Sequence, residues 1–140
     1  MKYKAYLLGA PELYTDGELC VFPFKKAQIL ALVLIEERSI SKDKICELLW
    51  ADKPTDKARR NLSNAISHIK KILPADIGSG GIITLDPKTK IERDTDSLQK
   101  IETMDIAEIK KFLSPFMNLP ELEDWEGFSD WLLPKREHYH

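Results

Sequence analysis

The stretch KARRNLSNAISHIKKIL, Lys57 to Leu73, carries Lys57, Arg59, Arg60, Lys70 and Lys71 without one acid, in a chain whose formal net charge is −2. Set on a helix at about 100° per residue, Ala58, Leu62, Ala65, Ile66, Ile69 and Leu73 fall on one stripe. Lys57, Arg60, Asn64, Ser67 and Lys71 cluster opposite, with Asn61 and His68 on one flank. The spacing predicts an amphipathic helix whose outer face is basic and rich in amides.

The charge is distributed unevenly. Residues 53–71 hold six bases against one acid, Asp56, a local charge of +5; the remaining 15 bases and 22 acids leave −7 elsewhere, much of it beyond Ile91. A basic stripe on an otherwise acidic protein points to a local polyanion site.

With 140 residues, the chain suffices for one domain with a real core, or for a domain of about 100 residues plus an appendage. A composition of 43% hydrophobic and 31% charged residues is that of a soluble globular protein. The longest apolar run, ILALVLI at 29–35, falls far short of the roughly 18 to 20 residues that span a bilayer, and the N-terminal residues lack a secretory apolar core. The expectation is a cytoplasmic protein with no membrane partner.

Chemistry of other kinds finds little support. Cys20 and Cys46 are 26 positions apart with no metal-like spacing to a histidine, and read as buried reduced thiols. The segment KPTDKARRN could hold an anion at a helix N-terminus, but it lacks the glycine frame of a nucleotide site. His138 and His140 lie on a terminal tail, and no acid, base and nucleophile form a catalytic motif. Neither an enzyme, nor a metal, nor a cofactor is expected.

Along the chain, KYKAYLL and ELYT read as strands, Asp16-Gly17 as a hairpin turn and ELCVF as the returning strand, with Pro23 closing the sheet. FKKAQILALVLIEE predicts a central, well-buried helix. Ser41 is a candidate N-cap for the next helix, which turns Ile45, Leu48 and Leu49 inward. Thr55 or Asp56 would cap the basic helix, which Pro74 ends. ADIGSGG reads as a hinge or hairpin tip, and IITLDPKTKIERD as two short strands around a Pro-Lys-Thr-Lys turn. Beyond residue 97, Leu98, Ile101, Ile106, Ile109, Phe112 and Leu113 form apolar ridges of short helices, and Trp125 and Trp131 read as core or interface residues.

In the order sheet, three helices, hairpin, residues 3–98 resemble the DNA-binding domain of the Streptomyces antibiotic regulatory protein (SARP) family, a branch of the OmpR-type winged helix-turn-helix proteins. The likeness rests on Gly9 and Pro11, Asp16-Gly17, the apolar helix at 27–35, ICELLW ending in Trp50, and NLSNAISHIKKIL. FLSPFMNLPELEDWEGFSDWLLPKRE resembles the opening of the bacterial transcriptional activator domain, a helical-repeat module, with its Arg136-Glu137 pair. The resemblance implies an α+β fold: an N-terminal antiparallel sheet, a three-helix core and a C-terminal β-hairpin wing, then short helices. Two units are expected, 1–96 and 97–140.

The same resemblance implies a transcription regulator, an activator by preference, that binds double-stranded DNA as paired subunits and contacts RNA polymerase through residues 51–56 and the acidic surface. The helix from about Asp56 to Leu73 would enter the major groove, whose base edges Arg, Asn and His side chains read. Arg60, Asn61, Asn64 and His68 are expected at base edges, and Lys57, Arg59, Ser67 and Lys71 at phosphates. The wing tip is either the Gly-Ser-Gly-Gly at 78–81, with Ser79, or the turn of Lys88 and Lys90. The alternative is a protein-interaction adaptor, with the winged helix as scaffold and the acidic, aromatic C-terminal segment holding a partner.

Overall fold

The first hairpin follows from its turn. Asp16 and Gly17 both adopt left-handed backbone angles, φ 51° and 84°, the twist that suits a tight two-residue hairpin. In this computed structural model, which describes residues 2–78, 80–97, 115–119, 122, 125 and 127–139, β1 (Tyr3–Tyr6) pairs antiparallel with β2 (Glu12–Thr15), Tyr3 opposite Thr15. Tyr3 and Ala5 are buried while Lys4 and Tyr6 face outward, the period of two that a one-sided sheet needs. Strand β3 (Glu18–Leu19) completes the edge.

Helix α1 (Lys25–Glu37) buries Ala27 and every residue from Ile29 to Ile35, the mark of a helix enclosed by other elements. Arg38 ends it at φ 68°, its guanidinium donating to the Thr89 carbonyl at 2.7 Å. After β4 (Ser39–Ser41), helix α2 (Lys42–Leu49) begins at Ser41, whose hydroxyl accepts from the Lys44 N–H as the sequence predicts.

Helix α3 (Thr55–Ile69) differs from expectation at both ends. Its N-cap is Pro54, not Thr55 or Asp56: the extended proline supplies the carbonyl that accepts from Ala58, and makes no side-chain cap bond. Residues 70–73 form a tightened turn rather than a further helical one, with Lys71 bonded back to His68 and Ile72 to Ile69, before Pro74 stops it.

The next strands correct the sequence reading. Residues 75–77, expected as hinge or tip, form β5 (Ala75–Ile77), which pairs with β6 (Ile82–Leu85) in a hairpin; β4 lines the other edge of β6. β6 and β7 (Ile91–Arg93) do not pair around Pro-Lys-Thr-Lys. β7 instead lies parallel to β1 in the first sheet, which therefore has the order β3-β2-β1-β7 and is mixed rather than wholly antiparallel. The reversal goes to Gly80 and Gly81, both at positive φ, while the 86–90 turn is anchored sideways on Arg38 and carries the chain between sheets.

A 3-10 turn (Asp94–Ser97) follows, in which the Asp94 carboxylate accepts from the backbone N–H groups of Leu7 and Leu8. Past it, the ridge residues Leu98, Ile101, Ile106, Ile109, Phe112 and Leu113 lie outside the described residues, as does Ser79. Phe116 bridges to Leu8, Met117 N–H donates to the Leu7 carbonyl, and α4 (Ser129–Tyr139) lies against α2. Phe116, Met117, Leu122, Phe128, Trp131 and Leu132 join the same hydrophobic cluster as α1, α2 and α3. Each fully buried Phe or Leu adds about 1.5 to 3 kcal/mol, so the C-terminal segment is part of what stabilises the α+β core.

Candidate nucleic-acid interface

Packing fixes which face of α3 is free. Ala58, Leu62, Ala65, Ile66 and Ile69, with Leu73 just beyond, are all buried against α1 and α2. Lys57, Arg59, Arg60, Asn64, Ser67, Lys70 and Lys71 are exposed, and Asn61 and His68 sit half-buried on one flank. The eight residues expected to meet DNA therefore lie on the outer face or flank of one short segment.

Acids on α3 itself and on neighbouring elements temper the charge. Arg59 reaches α2 and donates to the Asp43 carboxylate at 3.0 Å; Arg60 lies 3.8 Å from Asp56 and Lys70 3.7 Å from Asp76. Surface pairs of this kind contribute about 0 to 1 kcal/mol, and a phosphate competes easily with them. Among the described residues, Lys57 and Lys71 form no ion pair.

The flank contains residues that the sequence reading missed. Phe24, the N-cap of α1, meets His68 edge-on at 6.2 Å between centroids, and Phe24, Trp50, Asn61 and Asn64 line a depression beside the basic stripe. Lys26 lies over both Trp50 and Trp125, and burial lowers its pKa from the ordinary lysine value. The sequence reading begins the buried helix at Phe24, whereas Phe24 precedes α1 as its N-cap and stands half-buried beside His68.

The hairpin candidates divide. The tip is at 78–81, where the Gly81 carbonyl accepts from the Lys42 N–H. Lys88 and Lys90 are exposed but stand past the far end of β6, roughly 13 Å of strand from that tip. They are not tip residues.

Cys20 and Cys46 are free thiols, half-buried rather than buried. Cys46 lies in the groove between α2 and α3, and burial raises its thiol pKa. Among the described residues, no helix is long and apolar enough to cross a membrane.

This geometry defines a class no finer than an α+β protein with a basic, amide-bearing helix face. No protein-family model matches the chain, and no curated protein is significantly similar to it.

Proposed function

We propose that the chain is a sequence-specific, double-stranded DNA-binding transcription regulator of the winged helix-turn-helix kind, reading the major groove with α3. The observation that carries this reading is the division of α3, apolar side locked in the core and Lys57, Arg60, Asn64 and Ser67 together on the side left open, with Lys71 exposed just past its end. An α-helix fits the major groove, where Arg and Asn pair with base edges and Lys with phosphates.

Supporting elements stand where such a reading needs them. α2 precedes α3 through a short turn and packs across it, and the β5–β6 hairpin is tied to the C-terminal end of α3 by Lys70 and Asp76. On this reading α2 and α3 are the helix-turn-helix and the hairpin is the wing. The resemblance to the SARP family extends it: a cytoplasmic activator, acting as paired subunits, with the exposed residues 51–56 and the acidic surface toward RNA polymerase. The adaptor alternative would hold a partner through the acidic, aromatic C-terminal segment, in which Phe128 and Trp131 are buried within the chain and Trp125 is half-buried.

Selection from a random duplex pool tests the proposal. Enrichment of a repeated motif is expected; an unenriched pool after successive rounds would overturn it.

A further inference from the structure

The depression on the flank of α3 combines two kinds of surface. Asn61 and Asn64, three apart on the helix, line it together with Phe24 and Trp50; Asn64 is exposed, Asn61 and Phe24 are half-buried, and Trp50 is only 4% exposed. The rings come from two different elements, the start of α1 and the end of α2, and α3 packs on both. Helix N-caps are ordinarily Ser, Thr, Asp or Asn, which bond to the free N–H groups. Phe24 makes no such bond; its ring is held against His68 instead, and Lys26 packs on the Trp50 ring.

Of the base pairs seen from the major groove, A·T is the one that matches both surfaces. Adenine offers an acceptor and a donor to one side-chain amide, and thymine offers a C5-methyl group to an apolar wall. A G·C pair has no methyl. Resting on the DNA-binding reading above, we propose that Phe24, Trp50, Asn61 and Asn64 form a specificity pocket that takes the methyl group of one thymine, with an asparagine amide on the adenine of that pair. The phosphate-facing cations Lys57, Arg59 and Lys71 then set affinity and register, while this pocket chooses one base.

The test uses the full chain and the duplex enriched from the random pool, with each thymine replaced singly by deoxyuridine, which deletes the methyl and keeps every hydrogen-bonding group. Wild-type protein is expected to bind about four-fold more weakly at one thymine per half-site, the effect of losing one buried methyl. Phe24→Ala, checked for a native circular dichroism spectrum, is expected to bind the thymine and deoxyuridine versions of that position alike. Two results would overturn the pocket: no thymine in the wild-type scan responding, or a response that survives Phe24→Ala unchanged. The wild-type scan needs no variant, and its failure overturns the pocket even if Phe24→Ala does not fold. Failure to bind any duplex is a different result, which removes the DNA-binding reading and the pocket with it.

Discussion

Ile66 marks the difference between holding α3 and using it. It is 3% exposed among Leu62, Ala65 and Ile69, so Ile66→Asp buries a charge with no partner. The expected loss is roughly 3 to 5 kcal/mol, a large part of an ordinary domain's stability, and a circular dichroism melt at the wild-type temperature would contradict the placement of α3. Arg60 and Lys71, both exposed on the opposite side, should leave the melt alone and separate in binding. Arg60→Ala is expected to relax discrimination at one base position by about 1 to 3 kcal/mol, while Lys71→Ala weakens all duplexes alike and reduces the salt slope by about 1; anisotropy titrations on matched and mismatched sites read both. What was legible is the burial: helical period sorts the segment, and all six residues assigned inward, five on α3 and Leu73 just past it, are buried. The ion partners Asp43 and Asp76 were not legible, since they reach α3 from other elements.

Elements with strong local codes were the ones that sequence announced. Asp16-Gly17 specified its own turn, Ser41 its own cap, and the apolar run at 29–35 its own burial. β5, three residues long, has no code of that length and is a strand because β6 lies beside it; β7 was legible as a strand, but not its partner, which is β1 and not β6. Tertiary pairing of this kind is invisible to a window along the chain. The C-terminal segment depends on a comparable contact at Gly127. Its φ is +86°, and a Cβ there would run into the Glu47 carbonyl oxygen of α2. Gly127→Ala therefore meets both a backbone strain and a clash with main chain, and should cost at least about 1 kcal/mol in denaturant unfolding; a neutral result would contradict the close approach of this turn to α2.

Across the whole molecule, one buried carboxylate ties the C-terminal helix to the rest. Glu36, its side chain 4% exposed, pairs with Arg93 at 3.0 Å and Lys135 at 3.5 Å and accepts from the Tyr139 hydroxyl at 2.6 Å; the neighbouring Glu37 accepts from the Trp131 indole. α1, β7 and α4 meet at this point. Burial first, and then the Glu36 bond, push the Tyr139 pKa up to about 12, from 10.0. Because the folded pKa is the higher one, the neutral phenol's stabilisation is complete below pH 10 and disappears as pH rises through about 12. Chemical denaturation across that window should show wild-type stability falling more steeply than that of Tyr139→Phe, and parallel curves would contradict the buried hydrogen bond.

The same frame holds α3 with Lys57, Arg59 and Arg60 outward and Lys70 and Lys71 exposed just past its end, the face proposed to meet DNA. The most direct test of that proposal is the salt dependence of duplex binding by the intact chain, followed by fluorescence anisotropy. If three or four of the cations of residues 57–71 neutralise phosphates, log affinity should fall with log salt at a slope of about −2.7 to −3.6. A slope near zero, or affinity unchanged when Lys57, Arg60 and Lys71 are all replaced by alanine, would contradict it.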